Sequence, residues 1–321
     1  MRGVILLCAG GTGGHLFPAE ALATVLAARG WRVHLATDER VEAYGGDFPA
    51  EAVHLVPSAT LTTSPVAAAR AVLRLGRGYI AARRLVKRLN PAAAVGFGGY
   101  PTLPPMLAAA RAGIPTVVHD ANAVLGRANR FLASRVTAIA TSLPKVGGAG
   151  MFAARIVETG NPVRPAVREA AGTPYPARNT GDPFRLLVFG GSQGARFMSD
   201  LLPPAVASLP EGDRRLLRVT QQCRPEDMER VARAYRDMLV EADLQPFFRD
   251  LPRRIAASHL VVGRSGASTV AELAVIGRPA IMVPLPAMQN EPENTGSSTD
   301  FITASDSPVS CDSSISSASL T

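Results

Sequence analysis

The chain has 321 residues, 47% of them hydrophobic, enough for two buried cores of about 150 residues each. A formal charge of +8 and a pI near 10.1 favour an anionic partner, but with only 5% aromatics and no basic patch interleaved with aromatics the base-stacking design of nucleic-acid binders is missing. Three scattered cysteines, Cys8, Cys223 and Cys311, are too few for a disulfide framework or a metal cluster and suit a reducing compartment.

The opening MRGVILLCAGGTGGH reads as a buried strand, Val4–Cys8, that runs into a glycine loop. It is too short to span a membrane and carries no signal-peptide cleavage pattern. A helix is predicted over Ala19–Arg29 and a strand over Val33–Ala36. The basic stretch from Arg70 to Arg88 spaces Leu73, Tyr79, Ile80, Leu85 and Val86 between its charges. That pattern suits an amphipathic helix on an anionic surface and equally a solvated basic face. Strands follow at Ala93–Phe97, Thr116–His119 and Ala138–Thr141. The apolar stretch around the first two is broken by glycines and prolines, unlike a spanning helix.

The segment from Gly172 to Pro183 has the composition of a linker. A second series of elements then starts at Arg185–Phe189 and continues with Leu217–Thr220, a helix over Met228–Leu239, Leu260–Val262 and Ala280–Val283. Strands alternating with helices imply βαβ units, hence an α/β protein with two doubly wound parallel sheets. The expected units are 1–165, a linker at 166–183, and 184–286. From 287 to 321 the chain is Ser/Thr-rich without Lys or Arg, as expected of a disordered tail, either a natural one or one foreign to the domain.

Each half opens with a strand entering a glycine turn, GGTGGH at 10–15 and GGSQGA at 190–195. Such a turn before a helix offers backbone N–H groups to an anion. A dinucleotide-binding reading would use Asp38 for a ribose, but the third glycine of that fingerprint is replaced by Leu16. His15 suits either a loop-packing role or proton transfer. In GRSGASTVAE, residues 263–272, small residues follow a strand and open a helix. The N–H groups there could hold a diphosphate beside Arg264, and Glu272 could take ribose hydroxyls or favour the helix dipole.

Taken in order, GGTGGH at 10–15, GFGGYPT at 96–102, HDAN at 119–122, GNPVR at 160–164, GGSQGA at 190–195 and RSGASTVAE at 264–272 closely resemble the bacterial MurG family over residues 1–286. The resemblance implies a GT-B fold, two Rossmann-like domains facing a cleft, and transfer of N-acetylglucosamine (GlcNAc) from UDP-GlcNAc to the muramyl 4-hydroxyl of undecaprenyl-pyrophosphoryl-MurNAc-pentapeptide with inversion. By similarity, Thr12, Gly13, Gly14, Tyr100, Asn122, Arg164, Ser192 and Gln193 line the substrate site. Arg264, Ser265, Gly266, Ala267, Ser268 and Thr269 face the diphosphate, Glu272 holds the ribose and Phe248 lies beside the uracil. His15 is the family's candidate base. Asp120 takes the acidic position of the HEQN-like motif, one methylene shorter than glutamate.

The resemblance also implies peripheral association with anionic phospholipid at the cytoplasmic face of the bacterial inner membrane, no cofactor, no metal and no nucleic-acid partner. Downstream of VPLP the family's Gln-x-x-Asn-Ala-like segment is represented only by Gln289 and Asn290. The competing readings are a GT-B transferase with another acceptor, an oxidoreductase that binds NAD through Asp38, and a non-catalytic remnant.

Overall fold

The structure, a computed structural model, describes residues 2–44, 48–59 and 65–284, without the side chains of 42–44, 65–66 and 192–195. The expected tail at 287–321 lies outside these residues, as do Gln289 and Asn290.

In the first unit the elements are β1 (Val4–Cys8), α1 (Gly13–Ala28), β2 (Arg32–Thr37), β3 (Ala52–Leu55), α2 (Pro65–Leu89), β4 (Ala93–Gly96), α3 (Leu103–Arg111), β5 (Thr116–Asp120), α4 (Arg127–Leu132), β6 (Ala138–Thr141) and β7 (Ile156–Glu158). The strands are parallel, in the order β3-β2-β1-β4-β5-β6-β7. Every residue of β1 is buried because both faces of the sheet are covered. Its alternation divides it between two cores. Ile5 and Leu7 pack with Leu16, Leu35 and Phe97, and Leu6 and Cys8 pack with Val86, Met106 and Ile139.

The second unit comprises α5 (Pro165–Ala171), β8 (Phe184–Phe189), α6 (Gly191–Ala207), α7 (Glu211–Leu216), β9 (Leu217–Gln222), α8 (Met228–Asp237), β10 (Glu241–Gln245), α9 (Leu251–Ala257), β11 (Leu260–Arg264), α10 (Ala267–Ile276) and β12 (Ala280–Val283). Its parallel sheet runs β10-β9-β8-β11-β12.

The segment 166–183, expected to be a linker, requires correction. Val167 and Ala170 of α5 are buried among Leu187, Phe189, Ile255 and Leu273 of the second unit. The buried Arg278 donates to the Thr173 and Pro174 carbonyls at 2.8 and 2.9 Å and to Ala256 and Ile276 carbonyls near the ends of α9 and α10. Tyr175 adds a hydrogen bond to the His259 carbonyl. A guanidinium at the carboxyl ends of helices answers both their free carbonyls and their dipoles. The chain therefore passes between units ahead of α5, over residues 159–164.

In both sheets the first strand of the unit has the second and fourth as neighbours, so the strand order reverses between β1 and β4 and again between β8 and β11. Crevices form at the carboxyl ends of strands at such points. The four glycine motifs follow β1, β4, β8 and β11, which puts all of them at the two reversal points.

All five histidines are held below the usual imidazole pKa, in each case chiefly by burial. His34 and His54 are also hydrogen-bonded ring to ring at 3.0 Å. The unfolded chain therefore binds more protons than the folded one just below the ordinary histidine pKa, and stability is lost as pH falls through that range. Glu272, whose pKa is raised, has the opposite sign, in the carboxylate range. Thermal melts should show a plateau near about pH 7.5 and a melting temperature several degrees lower near about pH 5.5. A flat profile would contradict the lowered pKa of these rings.

Candidate active site

A cavity of about 1090 Å³ lies between the two sheets, lined by residues from all four glycine motifs. On the first unit, Thr12 is the extended residue before α1 and leaves first-turn N–H groups at Gly13 and Gly14 facing the cleft. Gly11 is required by packing: a Cβ there would lie 2.5 Å from Asp38 Oδ1 and 2.7 Å from the Val41 nitrogen. Asp38 itself is engaged by Arg40 at 2.6 Å, so the carboxylate that a dinucleotide reading requires already has a partner.

His15, in the first turn of α1, is seated against glycines. A Cβ on Gly98 would come 3.1 Å from its Cε1, and one on Gly10 would come 3.2 Å from its Cδ2. Gly98 and Gly99 also have φ of 96° and 81°, a region that glycine enters without strain. Burial pulls the imidazole pKa down, while a hydrogen bond with the Phe97 backbone and the Asp120 charge act in the other direction. The net result is a neutral ring at neutral pH.

Asp120 is buried and its carboxylate is crowded with donors. Oδ1 accepts from Asn122 N at 3.1 Å and Asn122 Nδ2 at 3.2 Å. Oδ2 accepts from Gly126 N at 2.8 Å and Asn129 Nδ2 at 3.0 Å. Such a carboxylate braces the loop 121–126 and keeps its charge near His15; its lone pairs are largely committed. Tyr100 and Asn122 line the same wall.

On the second unit, Gly266 precedes α10, and Ala267, Ser268 and Thr269 form its first turn along the cleft. Arg264 is buried beneath them with its guanidinium over Phe197. Among the described residues, its Nε and Nη2 have no hydrogen-bond partner. A buried cation at a helix N-terminus with unused donors is a site prepared for an anion. Ser265 completes this wall.

Glu272 is buried, and burial raises its pKa against the opposing effect of Arg164. Arg164 donates to its Oε1 from Nε at 3.0 Å and Nη2 at 2.8 Å, and stacks on Phe17 of the first unit at 3.8 Å. A second contact crosses the cleft. Pro18 lacks the N–H that would take the Gly14 carbonyl within α1, and Ser268 Oγ donates to that carbonyl at 3.4 Å.

Three expectations need comment. The side chains of Ser192 and Gln193 lie outside those described. Phe248 borders the cavity, but its ring is buried in the second core under Arg254; its neighbour Phe247 is the half-exposed aromatic on that wall. Two residues were not anticipated. Gln222 accepts from the Gly190 and Gly191 N–H groups and donates to the Pro246 carbonyl. Asn129 links the His119 carbonyl to Asp120. Gln222 ends a strand at its carboxyl edge, a positional clue; Asn129 had no signal in the sequence.

Residues 5–141 match the glycosyltransferase family 28 N-terminal domain and residues 185–294 the family 28 C-terminal domain. The chain is 58% identical over 287 residues, 89% of its length and 76% of the relative's, to the UDP-N-acetylglucosamine--N-acetylmuramyl-(pentapeptide) pyrophosphoryl-undecaprenol N-acetylglucosamine transferase of Sinorhizobium fredii. Its fold is similar to that of Acinetobacter baumannii MurG, with TM-score 0.65 and 27% identity over 89% of this chain and 80% of that one. The glycosyltransferase of kitacinnamycin shares the fold, with TM-score 0.61 and 17% identity over 90% and 82% of the two chains.

Proposed function

The chain belongs to the family of UDP-N-acetylglucosamine--N-acetylmuramyl-(pentapeptide) pyrophosphoryl-undecaprenol N-acetylglucosamine transferases, GT-B hexosyltransferases built from two family 28 domains, and we propose that the cleft between its sheets carries that transfer through the residues below. The substrates are UDP-GlcNAc and undecaprenyl-pyrophosphoryl-MurNAc-pentapeptide, and the reaction belongs to peptidoglycan synthesis. The observation that carries the assignment of the donor site is the buried Arg264, just ahead of α10, with two nitrogens that find no partner among the described residues.

The diphosphate of the donor lies against Arg264 and the first-turn N–H groups of α10. The ribose hydroxyls donate to Glu272 Oε2, the oxygen that Arg164 does not engage. The uracil lies near Phe247 and the backbone of Phe248. Across the cleft, the acceptor's 4-hydroxyl approaches neutral His15. The imidazole takes the hydroxyl proton as the oxygen bonds to C1 of GlcNAc from the side opposite UDP. The C1–O bond to UDP breaks, and the charge developing on the diphosphate is met by Arg264 and the helix N-terminus. Asp120 acts as a positioning residue, holding the 121–126 loop and favouring the imidazolium as it forms.

The test is transfer of labelled GlcNAc from UDP-GlcNAc to a short-chain acceptor analogue. Product formation that requires both substrates supports the reading, and hydrolysis of the donor without transfer would argue against it.

No described helix is long and apolar enough to cross a membrane. The protein instead meets the cytoplasmic face of the bacterial inner membrane through α2, where Val72, Leu73 and Ile80 are exposed among basic residues. Such a face combines apolar insertion with attraction to anionic headgroups; nucleic acid is not a partner on this reading. Leu73→Glu with Ile80→Glu should abolish co-sedimentation with vesicles rich in phosphatidylglycerol while leaving the melting temperature unchanged. Unaltered vesicle binding would place the membrane contact elsewhere.

A further inference from the structure

A second cavity, of about 650 Å³, opens on the carboxyl side of the first sheet, between the ends of β2 and β3 and helix α2. Its floor is Leu55, Val56 and Pro57, and Arg70, Arg74 and Arg77 reach over it from successive turns of α2. The wall is held close: Gly78 is buried against the Pro57 carbonyl, and a Cβ there would overlap that oxygen.

The charges do not balance within the cavity. Asp38 is paired with Arg40, and Glu39 lies 3.6 Å from Arg74. Among the described residues, neither Arg70 nor Arg77 has a carboxylate within ion-pairing distance. Two guanidinium groups over an apolar floor match the oxygens of a phosphate or diphosphate, which they can grip with paired N–H groups.

The cavity also has a definite position. Arg40 borders both it and the main cleft. On its other side, Leu73 lines the cavity, is 69% exposed, and shares a helix face with Ile80. From His15 outward the order is sugar cleft, arginine cavity, exposed apolar face. The acceptor's covalent order is sugar, diphosphate, polyprenyl chain.

We propose that Arg70 and Arg77 bind the diphosphate of the lipid-linked acceptor, making this cavity a recognition site distinct from the donor diphosphate site at Arg264. The inference rests on the transfer reading above. It predicts that an acceptor is selected for its diphosphate as well as for its sugar.

The experiment compares the wild-type chain with Arg70→Ala/Arg77→Ala, using a short-chain acceptor in detergent and the diphosphate-free methyl glycoside of the same muramyl pentapeptide. The double variant should raise KM for the diphosphate acceptor about tenfold or more, with KM for UDP-GlcNAc unchanged, and should show no penalty with the glycoside. An equal penalty on the glycoside would assign the arginines to the peptide's carboxylates and overturn the proposal. A penalty confined to vesicle-borne acceptor would assign them to lipid headgroups and also overturn it. Binding of geranyl diphosphate in saturating UDP, which fills the donor site, separates this proposal from the transfer reading. Wild-type binding weakened about tenfold in the variant supports the cavity even without turnover, and no wild-type binding refutes it.

Discussion

His15→Ala is expected to lower kcat by about a hundredfold or more while the affinity for UDP-GlcNAc stays within about twofold. The ring sits among Gly10, Gly98 and Gly99 on the first unit, across the cleft from Arg264 and α10, so on the proposed mechanism its removal deletes the proton acceptor and leaves the donor-diphosphate site at Arg264 intact. The pH dependence supplies a second readout. Burial holds the His15 pKa below its ordinary value. Activity of the wild-type chain should therefore persist at neutral pH and fall only as pH drops below about 6.5, along a limb that is missing from the residual activity of the variant. Rapid quench of a single turnover, with donor affinity measured separately by calorimetry, checks both. A loss confined to donor affinity would remove His15 from the chemistry and leave it a packing residue.

Arg264→Met should weaken UDP and UDP-GlcNAc binding by about ten- to a hundredfold, the range that charge-assisted hydrogen bonds of ~1.5–3 kcal/mol provide. In the ligand-free protein the same change should leave the melting temperature equal or raised. Arg264 is buried, and among the described residues its Nε and Nη2 have no partner. A buried cation with unmet donors costs stability, and an apolar residue of similar volume removes that cost. Opposite movements of stability and donor affinity would be the signature of a residue held for its ligand. A parallel loss of both, measured by thermal melting and calorimetry, would make Arg264 a structural residue of α10. Arg264→Lys should recover part of the affinity, since it keeps the charge and loses the paired N–H geometry.

Much of this was legible in the chain itself. Strands such as Val4–Cys8 and Arg185–Phe189 are apolar runs entering glycine turns because they lie inside doubly covered parallel sheets, and that pattern fixes fold class and the doubling of the unit. The missed strands were β3, β7 and β10, all at sheet edges. There one side meets solvent, as the exposed Leu55 and Val157 and the polar EADLQ of β10 show, and the apolar signal fades. The glycine motifs, His15, Arg264 and Glu272 were visible as residue types at characteristic places along βαβ units, and the structure brings them to one cavity.

Tertiary structure alone decided how those groups are paired. Nothing local to Asp120 indicates that Asn122, Gly126 and Asn129 all donate to it, and nothing local to Glu272 indicates that Arg164, 108 positions away, is its partner. The linker composition of 166–183 likewise could not reveal that α5 belongs to the second core, since that depends on a pocket formed by Leu187, Ile255 and Leu273. The sequence determined which groups this protein carries and on which elements, because periodicity and turn chemistry are local. Which carboxylate is committed, which cation is left unpaired, and where a second cavity meets the cleft are set by contacts between distant segments, and only the packed chain brings those together.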